Sequence, residues 1–162
     1  MTQIVLLLCI VAVIGLTIMA AISDLRHRII ANKIPIAIFI AYAIYALTRY
    51  FILDTPVAVI GLELITGAVV LLAGFALFAA NIMGGGDAKL LAALAMFASV
   101  YNVAAFLILV ALSGGIVAIG TWLYARQKKD GDKKTLQDVP YGIAISVGGL
   151  WALGQHLSSL LS

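Results

Sequence analysis

Charge is scarce in this sequence. Only 10% of its 162 residues are Asp, Glu, Lys or Arg, against about 25% in a typical soluble domain. A chain so poor in charge does not build the surface of a water-soluble protein. Cysteine is scarcer still: Cys9 is the one thiol, so an intramolecular disulfide and a cysteine zinc site are both excluded. It reads as a small apolar residue facing lipid or a neighbouring helix. The two histidines, His27 and His156, fall at opposite faces of the topology derived below and cannot share a metal. Neither a Ser-His nor a Cys-His pair falls at one depth, and no cofactor site is evident. The basic residues flank apolar runs with no aromatics interleaved, which argues against nucleic acid as a partner. No basic residue precedes the first apolar run, which is about 20 residues long where a signal peptide core has roughly 7–15. It is expected to be a retained transmembrane helix.

What the chain does have is apolar length. Hydrophobic residues make up 64% and the mean hydropathy is +1.17, so the lipid bilayer is the expected environment. The expected fold is all-α: one polytopic transmembrane bundle over residues 1–162, forming a single integral-membrane domain. On the scale of about 20 apolar residues per span, six segments appear. They run from about Ile4 to Ile22, Ile34 to Ile52, Val57 to Ile82, Ala88 to just before Asn102, Val103 to Tyr124, and Val139 to Leu157. The fourth is short for a full crossing. Glycines in the third (Gly61, Gly67, Gly74) and fifth (Gly114, Gly115, Gly120) suit close helix packing.

The few charges orient the bundle. Arg26, Arg28, Lys33, Lys89, Arg126, Lys128, Lys129, Lys133 and Lys134 all fall on one side if six helices alternate; Arg49, beside Asp54, falls on the other. The positive-inside rule then makes the loops at about 23–33, 83–88 and 125–138 cytoplasmic and puts both termini outside. Five or seven spans would scatter the charges. The stretch from Arg126 to Asp138 reads as a solvated loop near anionic headgroups.

Against this background Gly84-Gly85-Gly86-Asp87 stands out, because an aspartate beside lipid is costly unless it is partnered. Asp24, at the end of the first segment, returns to the same depth. Two carboxylates a few ångströms apart share one proton, so one can activate water while the other polarises a carbonyl. The glycines leave backbone N–H groups unobstructed, permit positive φ, and let an extended backbone approach. Two plainer explanations remain open here: Asp87 as an N-cap in a flexible turn, and Asp24 as an interfacial charge paired with Arg26 or Arg28. Glu63 is a poor partner for Asp87: a continuous helix of 24 residues would separate them by roughly 35 Å, leaving Glu63 an interfacial or packing role toward the outer face. Asp54 lies in the outer loop, and Asp130, Asp132 and Asp138 in the basic loop. Lys89 either supports Asp87 electrostatically or snorkels to the interface.

These residues resemble a known family. Gly84-Gly85-Gly86-Asp87-Ala88-Lys89-Leu90 resembles the Gly-x-Gly-Asp-x-Lys-Leu signature of the type IV prepilin peptidases. Ser23-Asp24-Leu25 and the later Ile30-Ala31-Asn32-Lys33-Ile34 resemble the family's first aspartate and Ile-Pro-Asn element, with Ala31 where proline is usual. Pro140-Tyr141-Gly142 resembles the Pro-Tyr/Phe-Gly element before the last helix. The motifs stand in family order across most of the chain. The resemblance implies an aspartic endopeptidase of the cytoplasmic (inner) membrane, with prepilins or pseudopilins as substrates. Asp24 and Asp87 would be catalytic, with Gly84, Gly85, Gly86, Lys89, Asn32, Pro140, Tyr141 and Gly142 shaping the site or binding substrate; no metal or cofactor is implied. The paired-cysteine region of the larger, methylating members is not present, so the chain is similar to the short peptidases of Flp/Tad pilus systems. Archaeal preflagellin peptidases share the pattern. Presenilin-like proteases place a tyrosine before their first aspartate, where Ser23 stands here. The non-enzymatic alternative is a membrane scaffold or transport subunit using the same aspartates for packing or ion coupling. Nothing in the sequence specifies an oligomeric state.

Overall fold

A computed structural model describes residues 2–127 and 141–161. Among the described residues the architecture is all-α, with five helices: α1 (Thr2–His27), α2 (Lys33–Leu53), α3 (Val57–Ala79), α4 (Gly85–Gln127) and α5 (Tyr141–Leu161). Four of them, α1 to α4, are long and apolar enough to cross a membrane. Pro35 falls in the first turn of α2 and Pro56 at the N-cap of α3, the places where a missing N–H does least harm.

Left-handed residues punctuate the chain. Among the described residues, Arg28, Asp54, Asn81 and Ser99 are the non-glycine residues with positive φ, and no glycine has one. The first three follow helix ends. After α3 the turn is a Schellman motif: Ile82 donates to the Leu77 carbonyl at 2.9 Å and left-handed Asn81 to that of Phe78 at 3.0 Å, satisfying carbonyls the helix leaves open.

Ser99 accounts for the main departure from expectation. The fourth and fifth apolar segments are not separate helices: both belong to α4, a 43-residue element broken only at Ser99 (φ 56°, ψ 167°). The count among the described residues is therefore five helices rather than six. Neighbours show what the break does. Leu94 packs against Gly149 and the Phe97 carbonyl accepts from His156, so residues 85–98 run parallel to α5. Phe106 and Val110 pack against Gly148, and Gly114 faces Ala144 and Tyr141, so residues 100–127 run antiparallel to it. The chain reverses at one residue with no glycine or proline to announce it.

The first limb of α4 is the centre of the bundle. Every residue from Leu90 to Ala98 is buried, the pattern of a helix covered on all sides. Outward faces of α1, α2 and α3 instead expose large apolar side chains such as Leu8, Phe39, Leu72 and Phe75, as a bilayer demands. Gly67 and Gly74 of α3 let that helix close onto the limb, at Met96 and Ala88 respectively.

Among the described residues, the buried acidic groups fall into two clusters. One holds Glu63, which is 4% exposed and so buried rather than interfacial. Arg49 pairs with it at 2.9 Å, not with Asp54, and the Tyr42 hydroxyl donates to it at 2.9 Å. Arg49 also stacks on Tyr45, with its guanidinium carbon 5.3 Å from the ring centroid. Since a carbonyl only accepts, His156 donates from Nε2 to Phe97, and Tyr45 donates to His156 Nδ1 at 3.1 Å. These bonds tie α2, α3 and α5 to the limb just before the Ser99 reversal. The expected 35 Å between Glu63 and Asp87 does not hold, because the chain turns after Ala79 and Asp87 returns beside the Gly74 level. Helical rise from Glu63 to Gly74 gives about 17 Å along the axis, still far beyond contact.

Candidate active site

The second cluster is built from three helix ends. α1 continues past its apolar run, so Asp24 sits in its last turn rather than in a loop; the connection to α2 is only residues 28–32. Arg28 closes the helix, its N–H bonded to the Asp24 carbonyl at 2.9 Å, and the Ser23 hydroxyl braces the connection by donating to the Ile29 carbonyl at 2.8 Å. Asp24 is 4% exposed. Its Oδ2 accepts from the Gly142 N–H at 2.7 Å, and the Ile143 N–H also bonds the carboxylate. These are the second and third residues of α5, whose N–H groups have no partner inside the helix. Asp24 therefore caps a helix 118 residues further on, where the positive end of the helix dipole favours an anion.

Asp87 sits at the start of α4. The Ala88 N–H bonds the Gly84 carbonyl at 3.1 Å, which makes Gly84 the cap and Asp87 the third helical residue. The Asp87 carboxylate reaches back to the Gly84 N–H, the acidic half of a capping box. The N-capping explanation is thus correct as geometry, yet it does not displace the pairing with Asp24. Asp24 and Asp87 line one cavity of about 210 Å³, together with Arg28, Ile29, Ile30 and Gly84 to Gly86. That is room for about seven waters, or a peptide group and one water. Asp24 also acts electrostatically on Asp87.

The glycines matter for what they lack, not for their φ. None adopts a positive φ. A Cβ on Gly86 would stand 2.8 Å from the Ile30 carbonyl oxygen, and one on Gly84 would stand 2.8 Å from Asp87 Oδ2. The most constrained is Gly142, where a Cβ would meet Asp24 Cβ and Oδ2 at 2.8 Å each and Cγ at 2.9 Å. Any side chain there pushes Asp24 away from the α5 N-terminus.

Of the remaining residues expected near the site, Lys89 and Asn32 come together: Lys89 Nζ donates to Asn32 Oδ1 at 2.9 Å, at the surface. Tyr141 begins α5 and turns its ring toward Gly114. Pro140 and most of the loop at about 125–138 lie outside the described residues. Ile29 lies outside the motifs read from the sequence, its hint being its position between Asp24 and Asn32; Ile30 and Ile143 stood in or beside those motifs without a site role of their own. Among the described residues no group of His, Cys, Asp and Glu is placed to hold a metal ion.

A family model described as "Type IV leader peptidase family" matches residues 6–119. No curated protein matches the chain, and no solved structure does.

Proposed function

Because the chain belongs to the type IV leader peptidase family, we propose that it is a membrane aspartic endopeptidase that cuts the leader from type IV, Flp-like prepilins or pseudopilins at the cytoplasmic face of the inner membrane. The observation that carries this reading is that Asp24 and Asp87, far apart in sequence, line one small cavity while backbone N–H groups hold each of them. That α1 to α4 are each long and apolar enough to cross a membrane supports the placement of this site in a membrane. Residues 1–162 act as one peptidase domain in this reading.

The chemistry follows from the asymmetry of the pair. Asp24 accepts two N–H bonds at a helix N-terminus, Asp87 one, so Asp24 is the better seat for the negative charge and Asp87 keeps the shared proton. Asp24 takes a proton from water as its oxygen bonds the scissile carbonyl carbon. Asp87 donates its proton to the carbonyl oxygen, giving a neutral tetrahedral diol. Collapse returns a hydroxyl proton to Asp87, the proton on Asp24 passes to the leaving nitrogen, and the C–N bond breaks. Gly84 to Gly86 line the cavity that takes the substrate backbone; Lys89 with Asn32 and Tyr141 with Gly142 position the helix ends around it.

Cleavage of a prepilin by the purified protein in detergent or nanodiscs, with Asp24→Asn and Asp87→Asn beside it, tests the proposal. Cleavage by the native protein and its loss in both variants is expected. Processing by either variant at the native rate would exclude the pair, and no cleavage of any prepilin would favour a scaffold or transport role.

A further inference from the structure

A second cavity, away from the aspartates, opens toward the bilayer. It is a groove of about 350 Å³ between α2 and α3, with the first limb of α4 as its floor. Phe39 of α2 and Leu64 and Ala68 of α3 form its walls; Ala92 and Met96 lie beneath. Phe39 is 51% exposed and Leu64 42%, so the groove faces outward along the spans.

One residue of the lining is not apolar. Lys89 shares a face of α4 with Ala92, Ala93 and Met96, the i, i+3, i+4, i+7 pattern, and it stands at the end of that stripe next to Asp87. One of its three ammonium donors is used by Asn32. Lys33 follows Asn32 at the start of α2, adding a second cation at that end. An apolar slot capped by lysines at one membrane face has the chemistry of a phospholipid: acyl chain within, phosphate at the amines. The dimensions favour a thin occupant over a helix. A helix about 10 Å across would fill 350 Å³ in roughly one turn.

We propose that the groove between α2 and α3 is a binding site for one anionic phospholipid, its acyl chain against Phe39, Leu64 and Ala68 and its phosphate on Lys89. The site is separate from the Asp24–Asp87 cavity and does not depend on the peptidase reading.

The test uses the full chain in phosphatidylcholine nanodiscs carrying a small fraction of phosphatidylglycerol with a photoreactive acyl chain, and the same label on phosphatidylcholine as control. Cross-linked residues are mapped by mass spectrometry. Phosphatidylglycerol label is expected to concentrate on Phe39, Leu64 and Ala68. Lys89→Gln should lower that labelling about fivefold, the worth of one lysine near an anionic headgroup. Ala68→Phe, on an exposed face of α3, should remove it while labelling elsewhere persists. Equal labelling by both lipids, or none of these changes in the variants, would show ordinary lipid contact only and overturn the proposal. Displacement of the label by an apolar helical peptide, with Lys89→Gln still labelled at the native level, would give the groove to a peptide and overturn it as well.

Discussion

Among the described residues two acidic sites lie buried in this bundle, and they are held in opposite ways. Glu63 meets a full complement of side chains: the Arg49 guanidinium through two hydrogen bonds and the Tyr42 hydroxyl through a third. Its charge is cancelled where it stands. Asp24 and Asp87 meet mainly backbone N–H groups at helix starts and share a cavity. An acid neutralised by an ion pair is committed to architecture, whereas two acids held by N–H groups at the edge of a cavity are, under the proposed function, the pair that exchanges a proton. Burial alone does not separate the two cases, since Asp24 and Glu63 are both 4% exposed; the identity of the partners does.

That contrast predicts mutants that fail differently. The largest effect is expected at the aspartates: Asp24→Asn and Asp87→Asn should each slow leader cleavage by at least about 10²–10⁴-fold, the usual worth of general acid–base catalysis, with thermal unfolding in detergent little changed. At the other site the loss should be in stability. Arg49→Ala leaves Glu63 buried without its counter-charge and should cost about 3–5 kcal/mol, read as reduced resistance to denaturant, while the folded fraction cleaves normally. Loss of cleavage with intact stability in Arg49→Ala would erase the distinction.

Two smaller effects sharpen it. Gly142→Ala displaces Asp24 without removing either carboxylate, and a misplacement on the order of 1 Å can cost about 10²-fold in rate. Its pH profile should shift as well as fall, because the N–H bonds that favour the charge on Asp24 are lost; an unshifted profile would mean that Gly142 serves packing only. For the native protein that profile should be bell-shaped, falling in acid as Asp24 gains a proton and in alkali as Asp87 loses its own. The smallest change is expected for Asn32→Ala, which frees the exposed Lys89 ammonium and should alter cleavage by no more than about fivefold, as befits a surface contact.

Much of the site could be read along the chain. Asp87 was marked by its glycines, and Asp24 by the depth to which alternating spans return it. Other parts could not. The glycines before Asp87 seemed suited to positive φ, yet their use is the absence of a Cβ beside Ile30 and Asp87. The bond from Gly142 to Asp24 joins positions 118 residues apart and has no local signature. The pairing of Glu63 with Arg49 was hidden because the distance between them depends on how α2 and α3 are placed about a short turn.

Apolar run length by itself determined that this chain is α-helical, with helices long and apolar enough to cross a membrane, because a bilayer core admits a polar backbone only when each segment satisfies it internally. Tertiary structure decided the rest. The left-handed Ser99 joins two apolar runs into one reversing element, which wraps the first limb in the other helices. The end of α1 is brought beside the starts of α4 and α5, so that free N–H groups are satisfied by two carboxylates over one cavity. Each of those outcomes depends on which helix ends meet, and a local pattern of residues carries no record of that.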